Sequence, residues 1–446
     1  MTTTTLAEPP APTAAAIEPT TSRPATRERG VFVAATAAVM LHIADDSFLQ
    51  PEPGVSAGDH LLSGLVPLGF LSVAALIFLR VRAGARAVLA LLIGLTGVVV
   101  GFVEAGYYTV TVGPSGDDYT GLLAGFAGLA LLALAAVVLW RTRKPGRSRR
   151  RRYARRGVTA TIGLALVVEV VGPFVMGYVS THVHTAGVPD AHLGAPYEDV
   201  TFTTSDGLEI HGWYVPSRNG AAVILPGRTK SQPHARMLVE HGYGVLLFDR
   251  RGEGASEGDP NLYGWGGSRD IHAAVDFLEG RSEVDPARIG GLGLSVSGEM
   301  LLQAAAEGSS LAAVVSEGAG TRTMSEQREM FDGFGEVRAF HALLALDTSV
   351  KLFSNEEAPE NLVDLAPRIA PRPVLLIWAP NSPNQEDLNP TYRRQIGPSA
   401  SIWTLPDAPH VGGLQTHPGE YEERVIEFFD TALLGSVRPV EIAPTD

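Results

Sequence analysis

The stretch Arg288-Ile-Gly-Gly-Leu-Gly-Leu-Ser-Val-Ser-Gly298 decides how the second half of the chain folds. Its apolar part, Ile289–Leu294, predicts a short buried strand, and a helix is predicted from Ser297 onward. Ser295 therefore stands on a sharp strand-to-helix turn, where the two backbones pass close together and the flanking residues must be small. Gly293 and Ser297 meet that need, and the helix that begins there points its amide donors at the serine oxygen.

The sequence around this turn alternates apolar strands with helical stretches. Such alternation predicts a mostly parallel, doubly wound sheet with helices on both faces, and ligands of such sheets bind at the carboxyl ends of the strands. The first two strands flank Ser-Asp-Gly and predict an antiparallel hairpin. A helical excursion over Thr321–Pro367 predicts a small lid. The predicted strands are Val200–Thr204, Leu208–Val215, Ala221–Leu225, Tyr243–Phe248, Ile289–Leu294, Leu311–Val315, Pro373–Trp378 and Ser401–Leu405.

Four blocks in this order resemble the α/β-hydrolase fold family over about Tyr197–Gly435. They correspond to the family's oxyanion loop, its D-x-R-G-x-G-x-S turn, its nucleophile turn and its catalytic-histidine loop. The serine turn departs from the family pattern at its fifth place, where serine replaces glycine. The blocks are Val223-Ile-Leu-Pro-Gly-Arg228, Phe248-Asp-Arg-Arg-Gly-Glu-Gly-Ala-Ser-Glu-Gly258, the turn around Ser295, and Pro406-Asp-Ala-Pro-His-Val-Gly-Gly413.

The resemblance implies a catalytic triad in the chain order serine, acid, histidine. Ser295 would be the nucleophile and His410 the base that removes its proton. The acid is expected in the loop Trp378–Pro390, which lacks the family's usual short Gly-x-x-Asp spacing. A helix can start at Pro390, and the carboxylate four residues before it is Glu386. Glu386 is therefore the favoured acid of the triad, and the adjacent Asp387 is the alternative.

The resemblance also implies an oxyanion hole made of two backbone amides, those of Val296 and Arg228. Pro226 replaces the histidine common at that loop, but a backbone donor does not require it. The implied reaction is acyl transfer to water through an acyl-enzyme, with no metal and no cofactor. A small-molecule or lipid ester is the favoured substrate, while amide or peptide hydrolysis stays open.

The first half of the chain has the composition of a membrane region. The spans would follow a disordered tail over residues 1–29, and about 20 apolar residues cross a bilayer of about 30 Å. The first segment is short and spans only if His42, Asp45 and Asp46 lie at its outer end. The five apolar segments are about Val31–Ile43, Leu61–Leu79, Ala87–Tyr108, Thr120–Trp140 and Val158–Tyr178.

Basic residues predict the orientation of these spans. Arginines precede the first span, lie between the second and third, and form the loop 141–156 between the fourth and fifth, which holds ten of the 35 Lys and Arg residues. The other two loops carry acidic residues but neither Lys nor Arg. The positive-inside rule therefore puts the amino terminus in the cytoplasm and everything after Ser180 outside the cell membrane.

Charge and composition exclude several classes of protein. Residues 1–180 carry 16 basic and 11 acidic side chains, which leaves 19 and 37 of the totals of 35 and 48 for the rest of the chain. A domain that binds nucleic acid through a broad basic face is excluded. The absence of cysteine excludes disulfides, thiolate metal sites and a cysteine nucleophile.

The predicted organisation is a membrane region over residues 30–180, a linker over 181–196, a hydrolase domain over 197–436 and a tail over 437–446. His182, His184 and His192 favour an exposed linker over a metal site. Glu104 and Glu169 lie inside predicted spans and favour an interhelical hydrogen bond over a functional site. Two other functions stay open: a ligand-binding sensor on a membrane bundle, and acyl transfer to an acceptor other than water. Substrate and oligomeric state are not determined by the sequence.

Overall fold

The computed structural model describes residues 23–50, 61–111, 116, 118–141, 149–182, 188–329, 333–382 and 386–435. Several parts of the prediction lie outside the described residues: residues 1–22 of the predicted tail over 1–29, the tail over 437–446, residues 142–148 of the arginine-rich loop, and His184.

The first half is helical, and three short π-helical turns interrupt or extend its helices. Asp45–Leu49 continues the first helix, Val99–Glu104 joins the third to the fourth, and Val167–Val171 joins the sixth to the seventh. Glu104 and Glu169 thus both fall in π-helical turns, and Glu169 is half-buried. The helices are α1 (Arg23–Ala44), α2 (Leu61–Ile77), α3 (Ala83–Val98), α4 (Ala105–Thr111), α5 (Asp118–Arg141), α6 (Arg149–Leu166) and α7 (Gly172–Ser180).

The helix bounds differ from the predicted segments in three places. Helix α1 begins at Arg23, inside the predicted tail, because the Arg, Ala and Glu residues there are good helix formers. Helix α6 begins at Arg149, so the end of the predicted arginine-rich loop is helical. Helix α2 is shorter than its predicted segment, since the chain turns after Ile77.

Four helices in the described part of the chain are long and apolar enough to cross a membrane, and a fifth is shorter. The fifth is Gly64–Ile77. The first segment, expected to be short, therefore lies in a helix of sufficient length. The four long helices are Thr26–Leu49, Ala83–Phe102, Asp118–Arg141 and Thr161–Ser180.

Side-chain contacts show which helix ends share a side of the bundle. Near the start of α1, Glu28 accepts hydrogen bonds from Arg86 at 3.2 Å and from Arg141 at 3.5 Å, which brings together the starts of α1 and α3 and the end of α5. Just beyond α1, the carboxylate of Asp45 accepts a bond of 2.7 Å from Thr120 near the start of α5. Helices α1 and α3 therefore run in one direction and α5 in the other.

Helix α2 runs back along α1. Near its start, Gly64 contacts Phe48, which follows α1 in the π-helical turn. Just after its end, the ring of Phe78 stacks on Phe32 with 3.9 Å between centroids. The two contacts join α2 to α1 at positions sixteen residues apart, about 24 Å along a helix, so α2 covers most of the length of α1.

The second half forms one eight-stranded sheet in the order β1-β2-β4-β3-β5-β6-β7-β8. Strand β2 pairs antiparallel with β1 and β4, and all other neighbours are parallel. This confirms the hairpin and the mostly parallel sheet, and each strand overlaps its predicted segment with ends displaced by at most two residues. The strands are β1 (Glu198–Thr203), β2 (Glu209–Val215), β3 (Ala222–Pro226), β4 (Gly244–Phe248), β5 (Ile289–Leu294), β6 (Ala313–Glu317), β7 (Val374–Trp378) and β8 (Ala400–Thr404).

Helices cover both faces of the sheet and bury two apolar cores. At the central strand β5, Gly290 lies against Phe429 on one face and Gly291 against Leu301 on the other, so the helices approach the backbone closely. These helices are α8 (Gln232–Glu240), α9 (Gly267–Glu279), α10 (Val296–Ala306), α11 (Met324–Glu329), α12 (Gly333–Phe353), α13 (Leu362–Leu365), α14 (Asn389–Ile396), α15 (Gly413–Thr416) and α16 (Pro418–Phe429).

The lid helix α12 packs along α7, the last apolar helix of the first half. The hydroxyl of Ser349 donates a hydrogen bond to the carbonyl of Phe174, and Phe353 meets Tyr178 edge to face with 4.9 Å between ring centroids. At the end of α7, the carbonyl of Ser180 accepts the amide of Leu262 at 2.9 Å. The two halves of the chain are thus joined by direct packing as well as by the polypeptide.

Most described residues of the predicted linker are exposed or half-buried, and a few of them contact the sheet domain. The amide of His192 donates to Gln232 of α8 at 2.7 Å, and Leu193 is buried against the same helix. His182 stacks on Tyr178 with 4.0 Å between ring centroids. The described histidines of this segment thus have packing or backbone roles.

Candidate active site

Ser295 occupies the turn between β5 and α10 in a conformation that few residues adopt. Its φ is 53° and its ψ is −128°, and its amide donates to the carbonyl of Glu317 on the neighbouring strand at 2.8 Å. A Cβ at Gly293 would lie 2.4 Å from the amide nitrogen of Gly298, so the strand and helix meet too closely for any side chain there. A strained residue at the rim of a parallel sheet is the arrangement that presents a reactive side chain.

His410 stands beside this serine, on the loop after β8. Its Nε2 lies 2.9 Å from the Oγ of Ser295, and its Nδ1 lies 2.5 Å from Oε1 of Glu386. A carboxylate can only accept, so it fixes the proton on Nδ1 and leaves Nε2 to accept the serine proton. The next residue, Val411, has a φ of 49°, which is strained for a β-branched side chain.

Of the two adjacent carboxylates in the loop after β7, the structure places Glu386 against His410. Glu386 is 2% exposed, and its second oxygen accepts the amide of Ala379 at 3.0 Å. The backbone carbonyl of Glu386 accepts the side-chain amide of Asn389 at 2.8 Å, which anchors the loop to the start of α14. Asp387 is exposed to solvent. The geometry therefore brings Ser295, His410 and Glu386 into one hydrogen-bonded chain.

The two backbone amides expected in the oxyanion hole follow neighbouring parallel strands. Val296 is the first residue of α10, after β5, and Arg228 follows Gly227 after β3. The side chain of Arg228 is buried in an ion pair with Asp249 and lies 4.8 Å above the ring of Trp213. These contacts fix the loop backbone and occupy the guanidinium group.

Glu317, at the end of β6, bonds both to Ser295 and to the loop that carries His410, and the sequence prediction missed it. Its carbonyl accepts the amide of Ser295, while its carboxylate accepts the amide of Gly413 at 2.7 Å and the hydroxyl of Tyr421 at 2.8 Å. Burial, and then the nearby Glu317 charge, raises the pKa of Tyr421, which keeps the hydroxyl protonated as a donor. Glu317 thus ties the nucleophile turn to the histidine loop. The only hint in the sequence is a carboxylate ending an apolar strand.

A second buried cluster of charges lies behind the serine. Glu299, in the first turn of α10, accepts the amide of Gly320 at 2.8 Å, and Arg322 donates to Gln303 at 2.5 Å. Burial raises the pKa of Glu299 to about 7, although the nearby Arg322 charge and the Gly320 bond oppose the shift. The cluster fixes the loop from β6 to α11, where the lid begins.

Known proteins resemble this domain in sequence and structure. A family model described as X-Pro dipeptidyl-peptidase (S15 family) matches residues 194–386. The Salmonella typhi protein YfhR is 26% identical over 264 residues, which is 54% of this chain and 83% of YfhR. The polyketide transferase grgF of a Penicillium species is 36% identical over 129 residues, 27% of this chain and 44% of its own. The Pyrococcus furiosus esterase Pf2001 superposes with a TM-score of 0.45 at 23% identity, covering 56% of this chain and 100% of the esterase.

The sheet and the matched family model point to the same fold. The mixed order with one antiparallel edge, and a strained serine between the central strand and its helix, are the marks of one fold family. The matched S15 model describes a hydrolase family, and the match includes the strands that precede the serine turn and the acid loop. The carboxyl-terminal half of this chain therefore has the architecture of an α/β-hydrolase, and over residues 194–386 its sequence is similar to the S15 family.

Proposed function

We propose that this chain is a membrane-anchored serine hydrolase that cleaves an ester bond through an acyl-enzyme. One observation supports the proposal above all others: the unbroken hydrogen-bond chain from Ser295 through His410 to Glu386. A lone serine or histidine would carry no such argument, because each is common in loops. Three side chains from three separate loops, in the order that base catalysis requires, argue for chemistry.

The proposed reaction has two halves. The Oγ of Ser295 bonds to the substrate carbonyl carbon as its proton passes to Nε2 of His410, and the carbonyl electrons move onto oxygen beside the amides of Val296 and Arg228. The tetrahedral species then expels the alcohol, which takes the proton from His410. Water repeats the sequence on the acyl-enzyme and releases the acid. Glu386 stabilises the imidazolium formed in each half.

Labelling with a fluorophosphonate tests the nucleophile, because this reagent bonds only to an activated serine. We expect the wild-type chain to label and Ser295→Ala not to label. Labelling of Ser295→Ala would show that another residue is the nucleophile. Failure of the folded wild type to label would favour the ligand-binding sensor instead.

A pair of neighbouring variants tests the acid. Glu386→Gln should lower kcat by roughly three to four orders of magnitude, because an amide no longer fixes the imidazole tautomer. Asp387→Asn is the matched control, with the same change of charge one residue away, and should retain wild-type kcat. The reverse result would assign the acid to Asp387.

We also propose that five helices span the membrane with the hydrolase domain outside. The antiparallel course of α2 beside α1, and the meeting of Glu28 with Arg86 and Arg141 at one end of the bundle, support this topology. The arginine-rich ends would face the cytoplasm. A membrane-impermeant fluorophosphonate should then label intact cells as fully as lysates. Labelling only after lysis would place the domain inside.

Acyl transfer to an acceptor other than water is the second candidate, and the similarity to a polyketide transferase favours it. The same acyl-enzyme forms in both reactions, so only its fate differs. Adding an alcohol or amine acceptor during turnover separates the two. A transferase gives acylated acceptor in preference to free acid, whereas a hydrolase gives free acid throughout. A peptide substrate is assayed beside the ester, because the matched S15 family is a peptidase family.

A further inference from the structure

An apolar cavity lies between the membrane bundle and the lid helix α12. Its volume is about 390 Å³, within the range of ligand sites in proteins. Helices α1, α2, α3 and α7 supply most of its wall, and the last two residues of α12 complete it. The lining includes Val39, Ile43, Phe70, Thr96, Tyr178 and Phe353.

The cavity lies in the half of the bundle nearer the hydrolase domain. Its α1 residues are close to the Asp45 end, opposite Glu28, and Thr96 is ten residues beyond Arg86 along α3. Tyr178 is two residues from the end of α7. With the arginine-rich end in the cytoplasm, this half occupies the outer leaflet.

The surroundings of the cavity determine its occupant. Phe70 lines the cavity and is also 73% exposed, so the cavity opens sideways where the proposed membrane would be. Water gains few hydrogen bonds from such walls, whereas a hydrocarbon chain buries its own surface there. We propose that this cavity binds one acyl chain of an outer-leaflet lipid. The inference rests on the membrane insertion proposed above, but does not require catalysis.

A short loop connects this lipid site with the nucleophile turn. Next to the cavity residue Phe353, Ser354 accepts the side-chain amide of Asn261 at 2.9 Å. The same loop reaches Gly264, against which the side chain of Val296 packs beside the nucleophile. A lipid with its chain in the cavity therefore has its polar end at the level of this loop. That position suits a lipid ester as the substrate class.

Photocrosslinking in vesicles tests the site. The full chain is reconstituted in vesicles of phosphatidylcholine and phosphatidylglycerol, with a trace of phosphatidylcholine that carries a diazirine in one acyl chain. After irradiation, adducts should be several-fold more frequent on the half-buried Thr96 and Tyr178 than on Leu91, which is more exposed and faces outward on α3. Adducts in proportion to outward exposure would overturn the proposal, because bulk lipid gives that pattern.

Variants that obstruct the cavity sharpen the test. Thr96→Trp should reduce adducts on the opposite wall several-fold, and Leu91→Trp, on the same helix but outside the cavity, should leave them unchanged. Val66→Trp obstructs the cavity from α2 and replaces Thr96→Trp should that variant fail to fold. Thermal unfolding of the reconstituted chain checks folding, and fluorophosphonate labelling of Ser295 tests the catalytic proposal separately. Equal adducts in obstructed and control variants would refute the site.

Discussion

Replacing Glu317 by alanine tests whether this residue positions His410, the proposed catalytic base. The carboxylate accepts the amide of Gly413, three residues beyond His410, and the hydroxyl of Tyr421. In Glu317→Ala both buried donors lose their acceptor, at a cost of about 1–3 kcal/mol each. The histidine loop then loses the bond that ties it to β6, the strand whose last carbonyl holds the amide of Ser295. A displacement of about 1 Å between base and nucleophile can lower a rate roughly 100-fold.

The assay separates positioning from stability. We expect kcat to fall roughly 100-fold in Glu317→Ala at an unchanged KM, since the carboxylate is buried beneath the site and away from substrate. Tyr421→Phe is the matched control, because it removes one bond to the same carboxylate and leaves the Gly413 bond intact. It should lower the melting temperature but retain most of kcat. Glu317→Gln keeps an acceptor for Gly413 and should recover most of the activity.

Two results would refute this role for Glu317. The first is wild-type kcat in the folded fraction of Glu317→Ala, which would make the residue purely structural. The second is an equal loss of kcat in Tyr421→Phe, which would assign the effect to general loosening of the buried cluster.

Three further predictions concern packing and pH. The pKa of Glu299, raised by burial from its ordinary 4.5 to about 7, makes stability fall as pH rises across that window, by at most about 3 kcal/mol. Glu299→Gln should therefore unfold with a flatter pH dependence between pH 5 and 8, and an unchanged slope contradicts this. Gly293→Ala should abolish folding and labelling, because its Cβ meets backbone at 2.4 Å, whereas Ser297→Gly should label normally. Gly177→Ala places a Cβ 2.6 Å from that of Ser349 and should lower the free energy of unfolding by about 1–3 kcal/mol. Adding Ser349→Gly should restore part of this loss. Absence of coupling between the two substitutions in a double-mutant cycle would contradict the α7–α12 contact.

The sheet could be predicted because its signals are local. Each strand is a short apolar run bounded by glycine, proline or polar turns, and the serine turn carries its small neighbours within a few residues. Glu386 could be chosen over Asp387 from its distance to Pro390, where a helix can begin. These inferences need only neighbouring residues, so a single sequence suffices.

The contacts that the sequence did not reveal join distant residues. Glu317 is 96 residues from Gly413 and 104 from Tyr421, and no periodic pattern marks such pairs. The docking of α12 on α7 depends on Ser349 and Phe174, 175 residues apart. The start of α1 was also missed, since helix formers among Thr and Pro residues give a weak signal.

The double attachment of the hydrolase domain, through Leu262 to the end of α7 and through α12 along its side, has a consequence for how substrate arrives. An enzyme joined to its anchor by a flexible linker samples a large volume of solvent and can bind dissolved polymers. A domain attached at two points keeps a fixed height and tilt above the bilayer that the helices are proposed to span. Its encounters are then set by lateral diffusion in two dimensions, so turnover should follow the surface density of substrate rather than its bulk concentration.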